Sequence, residues 1–122
     1  GPFEFVKEVA FFDKGKQLLI SVKKNGSYYI YKNNIETGPY ENVGRFNVIY
    51  STTNYAYWVK EADKYYVVYM DKKLGPYGEI SSFAVSQKTN KIAWRVKTDK
   101  FDLFVNGTSV IKSELVAFLP GI

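Results

Sequence analysis

The chain repeats itself at an interval of 37 residues. Under that shift, Gly38-Pro39-Tyr40 falls on Gly75-Pro76-Tyr77, and Tyr28-Tyr29 falls on Tyr65-Tyr66. The same shift carries a second unit onto a third, because Val59-Lys60 falls on Val96-Lys97. Self-similarity at a fixed interval of about 20 to 50 residues is typical of solenoids, propellers and arrays. The 122 residues therefore predict about three copies of one structural unit.

We predict a single domain over residues 1–122, with units at about 4–40, 41–77 and 78–112 and the start of a further strand at 114–119. The third unit lacks the Gly-Pro-Tyr element, and its counterpart at Val110 to Ser113 stands about two residues short. In this alignment Val68 corresponds to Val105. Terminal repeats are commonly atypical in this way.

Each unit predicts four antiparallel strands separated by turns, the last strand being short. Asp13 to Lys16 and Asn25-Gly26 supply the side-chain hydrogen bonding and positive φ that tight turns require. Between those turns, Leu18, Ile20 and Val22 alternate on one face of a strand. No segment carries a helical apolar stripe of ten or more residues, which argues against helical crossovers. We predict an all-β fold of four-stranded, blade-like sheets that bury their faces by stacking on one another.

Neither cysteine nor histidine occurs in the chain. This composition excludes disulfides, thiolate or imidazole metal ligands, and nucleophiles activated by a histidine base. Paired carboxylates remain for acid and base catalysis. The 12 acidic residues offer no distinctive pair, and many, such as Asp13 and Asp63, lie in predicted turns. We predict no catalytic residue, no metal and no cofactor, and hence not an enzyme.

The net charge of +5 is spread over lysines in nearly every segment. Nucleic-acid binding requires a clustered basic face with stacking aromatic residues, so a solvated basic surface is the favoured interpretation and a nucleic-acid partner is disfavoured. No apolar stretch approaches the length of a membrane span. A bacterial periplasm, cell envelope or extracellular location is slightly favoured over the cytoplasm, although the lack of cysteine fits both.

The units resemble the WD-like propeller repeats found in many bacterial proteins. In those repeats an apolar strand runs into an Asp-Gly type turn and then into a second apolar strand. The corresponding segments are Phe11 to Lys16 with Leu18 to Val22, Tyr55 to Val59, and Ile92 to Val96. The resemblance implies a β-propeller-like fold and no particular activity. The family's turn is replaced by residues 50–54 in the second unit and 86–90 in the third.

Closed propellers have roughly four to eight blades, so three units leave open edges. The chain is then part of a longer propeller, one half of a six-bladed ring made by two chains, or a short open stack. A symmetric homodimer that leaves no open edge is the favoured solution.

Functional residues are sought where the units differ from one another. Ser21, Trp58 and Arg95 occupy one repeat position, on the face opposite Ile20; they form a variable contact surface or adapt the packing between blades. Trp94 shares the inward register and is predicted to lie in the core. The predicted contact surface comprises Trp58, Arg95, Tyr29, Tyr66, Leu115 and Phe118.

Two further sets of residues have structural alternatives. Tyr29 and Tyr66 suit sugar stacking or protein contacts, or they form a cross-strand aromatic ladder. Gly38-Pro39-Tyr40 and Gly75-Pro76-Tyr77 are predicted to be structural turns that join successive units, because glycine supplies unusual backbone angles and proline fixes φ.

The favoured function is a non-catalytic interaction module, a scaffold that mediates protein–protein contacts or self-association. The alternatives are a carbohydrate or cell-wall binding module, motivated by the 11 tyrosines, and a fragment of a larger envelope propeller protein. The favoured function rests on analogy at the level of the fold.

Overall fold

The computed structural model describes residues 3–110, which form three antiparallel sheets. Sheet 1 has its strands in chain order: β1 (Phe5–Phe12), β2 (Gln17–Lys24), β3 (Ser27–Lys32) and β4 (Ile35–Tyr40). Sheet 2 follows with β5 (Asn42–Val43), β6 (Asn47–Val48), β7 (Tyr55–Glu61), β8 (Lys64–Tyr69) and β9 (Lys72–Tyr77). Sheet 3 contains β10 (Glu79–Ser86), β11 (Lys91–Lys97), β12 (Phe101–Val105) and β13 (Thr108–Ser109).

The prediction of an all-β fold built from antiparallel sheets is confirmed. The final strand of a sheet is longer than expected in two cases, since β4 and β9 each have six residues while β13 has two. Within residues 3–110 the sheets close neither into a barrel nor into a ring. That part of the chain also contains no helix long and apolar enough to cross a membrane.

The three sheets are stacked, and both contacts between neighbouring sheets use the same two kinds of face. We call the side that carries Val22, Val59 or Val96 the front face of its sheet and the opposite side the back face; strand pairing assigns the other residues to one side or the other. The back of sheet 1 packs against the front of sheet 2, and the back of sheet 2 packs against the front of sheet 3. Sheet 2 is therefore covered on both sides.

Two apolar cores result from this stacking. The first lies between sheets 1 and 2 and contains the buried residues Phe12, Leu19, Ile30, Val43, Phe46, Tyr55, Tyr57 and Val59. The second lies between sheets 2 and 3 and contains Ile49, Ala56, Val67, Ile92, Trp94 and Val96. Trp94 is 1% exposed, which confirms its predicted core position. The alternation along β7 explains why both faces of that strand are apolar: successive side chains enter different cores.

A repeated glutamate holds the β2–β3 hairpin of sheet 1 and the β7–β8 hairpin of sheet 2. The carboxylate of Glu4 accepts a hydrogen bond from the Gly26 amide at 2.9 Å, and that of Glu41 accepts one from the Asp63 amide at 2.9 Å. Both pairs are related by the 37-residue shift. Gly78 occupies the corresponding position in the third unit, so no carboxylate is available there.

The third unit departs from the repeat at the same hairpin. In sheet 2, Tyr57 pairs with Val68, whereas in sheet 3 Trp94 pairs with Phe104. The loop of sheet 3 is thus one residue shorter, and Phe104, not Val105, is the counterpart of Val68. The predicted match of Val68 with Val105 is wrong by one residue. Because side chains alternate between faces, the shift puts Val105 on the back face.

Candidate functional site

The front face of sheet 1 is the one apolar sheet face of sheets 1 and 2 that no other described sheet covers. Val6 is 52% exposed, Val9 51% and Phe11 55%, and all three lie on β1. Ile20 and Leu18 of β2 continue the same face and are half-buried. Monomeric proteins seldom expose contiguous apolar surface of this kind unless it binds something.

The equivalent residues of the next two sheets are covered. Val43 and Phe46, which correspond to Val6 and Val9, are 0% and 8% exposed beneath the back of sheet 1. Phe83, the counterpart of Val9 in the third unit, packs against the core between sheets 2 and 3. Val9 is exposed because no described sheet covers the front of sheet 1, whereas its apolar counterparts lie beneath a neighbouring sheet.

A cavity of about 330 Å³ lies on this face between the N-terminal segment and the ends of β3 and β4. Val6, Val9, Ile20 and Val22 form its apolar floor. Phe3 forms one side, and its ring meets the ring of Tyr31 edge to face at 6.0 Å between centroids. The shape is that of a shallow groove able to take an apolar side chain from a partner.

The groove has a polar rim. The Lys24 ammonium lies 2.7 Å from a carboxylate oxygen of Glu36, and the same oxygen accepts a hydrogen bond from the Tyr31 hydroxyl. This pairing raises the pKa of Lys24 and lowers the pKa of Glu36, in each case first through the hydrogen bond that joins them. An apolar centre with a polar rim is the usual anatomy of a protein-binding surface.

The predicted contact position Ser21, Trp58 and Arg95 lies on the back face of each sheet. Ser21 is fully buried between sheets 1 and 2, and its hydroxyl has no hydrogen-bond partner within residues 3–110. Trp58 lines a cleft of about 450 Å³ between sheets 2 and 3 and faces Ile80 there. Arg95 is exposed on the back of sheet 3. Two of the three side chains thus lie between sheets, where their size adapts to the facing sheet.

Arg95 is held in place from two sides. Its Nε donates a hydrogen bond to the Ser81 hydroxyl at 2.8 Å, and its guanidinium lies 4.7 Å from the ring centre of Phe101. Phe101 itself is 52% exposed. The back of sheet 3, on which Ala93 and Val105 are buried, therefore presents in its exposed part a cation stacked on an aromatic ring, an arrangement common at binding surfaces.

Tyr29 and Tyr66 both lie on front faces and are half-buried. Tyr66 packs against the first core, so it belongs to the interface between sheets 1 and 2. Tyr29 is its counterpart on the groove-bearing face of sheet 1, where it pairs with Val22. Lysine ammonium groups lie over both rings, Lys24 at 4.7 Å from Tyr29 and Lys73 at 4.4 Å from Tyr66. The two tyrosines therefore lie in different surroundings: Tyr66 is inside the interface between two sheets, and Tyr29 is on the outer face of sheet 1.

The Gly-Pro-Tyr elements lie inside strands rather than in loops after them. Gly38-Pro39-Tyr40 ends β4 and Gly75-Pro76-Tyr77 ends β9, each at a register shift against the preceding strand. Gly38 and Gly75 have φ angles of 123° and 129°, which side-chain-bearing residues rarely adopt. The bulge bends each outer strand toward the start of the next sheet, so the elements connect units from within the sheet.

Comparison of the chain with protein-family models, with curated proteins and with solved structures found no match. The residues themselves therefore carry the functional argument. Leu115 and Phe118, which belong to the predicted contact surface, lie outside the described residues.

A second cleft, of about 380 Å³, opens between sheets 1 and 2. Asp71 lies at its edge, accepts a hydrogen bond from the Tyr55 hydroxyl and pairs with Lys32 at 3.1 Å. The hydrogen bond from Tyr55, followed by the hydrogen bond and charge of Lys32, lowers the pKa of Asp71. Burial raises the pKa values of Tyr55 and Tyr57 well above their usual range. The cleft is thus lined by the anionic carboxylate of Asp71 and by the neutral hydroxyl groups of Tyr55 and Tyr57, which are suited to hydrogen bonding.

The sequence-based search missed the main candidate surface, formed by Phe3, Val6, Val9 and Phe11. Val6 and Val9 are apolar like their repeat counterparts Val43 and Phe46, which lie in the core between sheets 1 and 2. A signal for them exists in the repeat itself: in a stack, the face that packs on the preceding unit has no covering unit in the first one. The front face of the first unit, which contains Val9, is the face that this rule predicts to be uncovered.

Proposed function

We propose that this chain is a non-catalytic interaction module whose blade-like sheets form part of a propeller-like arrangement and bind protein through the front face of sheet 1. The observation that supports this function is the exposure of Val6, Val9 and Phe11, whose counterparts in the later sheets are covered by a neighbouring sheet. Burial of such a face by a partner is favourable by about 25 cal/mol for each Å² of apolar surface removed from water.

Photo-crosslinking in the cells that make the protein tests this function. p-Benzoyl-phenylalanine is placed at residue 11, on the front face, and in a separate variant at residue 50. Tyr50 is the control because it is 53% exposed but lies in the loop after β6, where its carbonyl accepts a hydrogen bond from the β1–β2 turn at Lys14 and its side chain does not belong to the front face of β1.

We expect protein adducts at residue 11 that are absent at residue 50 and that disappear when Val9→Asp is added. A charge in the centre of an apolar interface removes much of its binding energy. Equal adduct yields at residues 11 and 50, or adducts insensitive to Val9→Asp, would argue against a protein-binding front face.

The cleft between sheets 1 and 2 supports carbohydrate binding as a second candidate. Tyr40, Tyr55 and Tyr57 line it together with Asp71 and Lys32, which combines aromatic rings with polar groups. Tyr55 and Tyr57 are 2% and 5% exposed, so Tyr40 at the rim is the ring best placed for stacking on a sugar. Calorimetric titration with soluble cell-wall glycans, comparing the wild type with Tyr40→Ala, tests this function; no heat of binding in the wild type would remove it.

A further inference from the structure

We propose that the partner of the front face of sheet 1 is the back face of sheet 3 in a second copy of this chain. The inference rests on the proposed function, since it names the occupant of the same surface. Two such contacts would join two copies into a ring of six stacked sheets.

The chain already uses this pair of faces twice. Val43 and Phe46 on the front of sheet 2 pack against Leu19 and Ile30 on the back of sheet 1. Ile80 and Phe83 on the front of sheet 3 pack against Ala56 and Val67 on the back of sheet 2. A third contact of the same kind needs one more front face and one more back face, and sheets 1 and 3 supply them.

The back of sheet 3 retains the apolar pair that the covered back faces use. Leu19 with Ile30 in sheet 1 and Ala56 with Val67 in sheet 2 correspond to Ala93 with Leu103 in sheet 3. Ala93 is already buried within the chain, at 5% exposure, so the half-buried Leu103 and the exposed Ala84 are the expected partners of Val6 and Val9 in the second copy. Ala84 lies beside Ala93 on the same face and is exposed.

The arrangement closes with twofold symmetry. Among the described residues, each copy offers the front face of sheet 1 and the back face of sheet 3, so two copies make two identical contacts and cover both front faces. Six sheets fall within the range of closed propellers, which is about four to eight blades. Cyclic dimers are also the commonest form of homo-oligomer.

The net charge of the chain predicts how the association of two copies depends on salt. Each copy carries a net charge of +5, so two copies repel at low ionic strength, whereas the proposed contact is mainly apolar. Salt screens the repulsion and leaves the apolar contact intact. Association should therefore become tighter, and not weaker, as salt is added.

Sedimentation velocity of the purified chain tests the contact with two variants and a control. Val9→Asp charges the front face and Ala84→Asp charges the back of sheet 3, and both positions are exposed enough to accept a carboxylate in the folded chain. Ile35→Asp is the matched control, because Ile35 is 71% exposed but lies on the outer strand β4. Unfolding curves for all three confirm that each remains folded.

We expect the wild type and Ile35→Asp to sediment at twice 14.0 kDa, and Val9→Asp and Ala84→Asp each to sediment as monomers. An equal mixture of the two monomeric variants should form a heterodimer. In that heterodimer the intact front face of Ala84→Asp meets the intact back face of Val9→Asp, so one of the two contacts is restored.

Three results would overturn the inference. A wild type that stays monomeric at the highest concentration reached excludes self-association, and if residue 11 then still crosslinks another protein, the proposed function survives without it. A dimer lost in Val9→Asp but kept in Ala84→Asp, with no recovery on mixing, means that two front faces bind each other. Dissociation by moderate salt means that ionic groups, rather than this apolar face, form the contact.

Discussion

Gly44 lies directly against the indole ring of Trp58, so close that a Cβ atom on residue 44 would be 2.2 Å from Nε1 and 2.4 Å from Cδ1. The Gly44 amide also donates a hydrogen bond to the Trp58 carbonyl at 2.8 Å. The corresponding residues are Lys7 beside Ser21 in sheet 1 and Ser81 beside Arg95 in sheet 3. Only the unit with the large indole has glycine at this position, so the two residues form one packing solution.

We therefore expect Gly44→Ala to destabilise the fold by about 1–3 kcal/mol, the usual cost of forcing an extra methyl group into a filled site. The reason is space, since the indole must move and it packs on Tyr65 at 5.5 Å between ring centres. Urea unfolding monitored by circular dichroism measures the loss.

The same change in a Trp58→Ala background should have the opposite sign. With the indole gone, the added methyl group has room, and alanine restricts the unfolded chain more than glycine does, which is worth about 0.4–1 kcal/mol. An equal loss in both backgrounds would show that Gly44 is needed for its backbone conformation and not for its closeness to Trp58.

The sequence predicts the sheets well because turn residues and alternation act locally. Asn25-Gly26 turns at φ angles of 53° and 78°, as the dipeptide predicts, and the strands on either side alternate in the expected register. The shortened hairpin of sheet 3 escapes prediction because a fixed shift of 37 contains no information about one missing residue. Asn33 and Asn106 reveal it: their side chains accept hydrogen bonds from the equivalent Leu18 and Ile92 amides, yet they are 73 residues apart, one fewer than two repeats.

The candidate site is harder to predict than the fold. Val9, Phe46 and Phe83 are equivalent in the repeat, and residue type alone does not distinguish the exposed one from the covered ones. The difference arises from the order of stacking, a property of the assembled sheets and not of any unit. The burial of sheet 2 on both sides is also hard to predict from the sequence. Both faces of β7 are apolar, and the reason is that a neighbouring sheet covers each of them.

The bulge of β9 gives a second prediction. Gly75 has a φ of 129°, and a Cβ there would lie 2.9 Å from the Tyr65 carbonyl oxygen, a backbone atom that cannot move aside. We expect Gly75→Ala to cost at least about 1–3 kcal/mol, the cost of a residue held in a sparsely populated backbone region. Differential scanning calorimetry measures the fall in melting temperature.

Gly78→Ala is the matched control for that change. A Cβ on Gly78 would meet only the Lys97 carbonyl oxygen at 3.5 Å, an ordinary contact. We expect its effect to stay within about 0.5 kcal/mol, as for surface substitutions in general. If the two alanine variants melt alike, the positive φ of Gly75 is not what the bulge requires.

Asp71 gives a prediction for acid pH. The pKa of Asp71 is lowered first by the hydrogen bond from Tyr55 and then by Lys32. Its stabilising contribution is therefore complete above about pH 4, which is the usual pKa of an aspartate in the unfolded chain. The contribution is lost as the pH falls through the lower pKa of the folded state. The Asp71 side chain is 69% exposed, so solvent screening keeps its contribution below about 1 kcal/mol.

We expect Asp71→Asn to be less stable than the wild type at neutral pH and equally stable in strong acid, which flattens the pH dependence of the free energy of unfolding. Tyr55→Phe removes the main cause of the pKa shift and should flatten it as well. If Asp71→Asn and the wild type run parallel from pH 7 down into the acid range, the ion pair and hydrogen bond contribute nothing to this dependence.

Tyr57 gives the corresponding prediction for alkaline pH. Burial raises its pKa, and the neighbouring charge of Tyr40 adds to the shift. A raised pKa means that the stabilising contribution is complete below about pH 10, where the unfolded chain begins to ionise, and is lost as the pH rises above it. Tyr57 is 5% exposed, so its ionisation should require the sheets to separate.

A jump to alkaline pH, followed through the ultraviolet absorbance of tyrosinate, should therefore show two phases. Tyrosine rings in contact with solvent ionise at once, and buried rings ionise with the rate of unfolding measured by circular dichroism. Tyr57→Phe keeps the ring but removes the hydroxyl, so it should reduce the slow amplitude by one tyrosine and move the alkaline midpoint of unfolding to higher pH. A loss from the fast phase in Tyr57→Phe would mean that hydroxide reaches the interface between sheets 1 and 2 without unfolding, and that this interface opens in the folded protein.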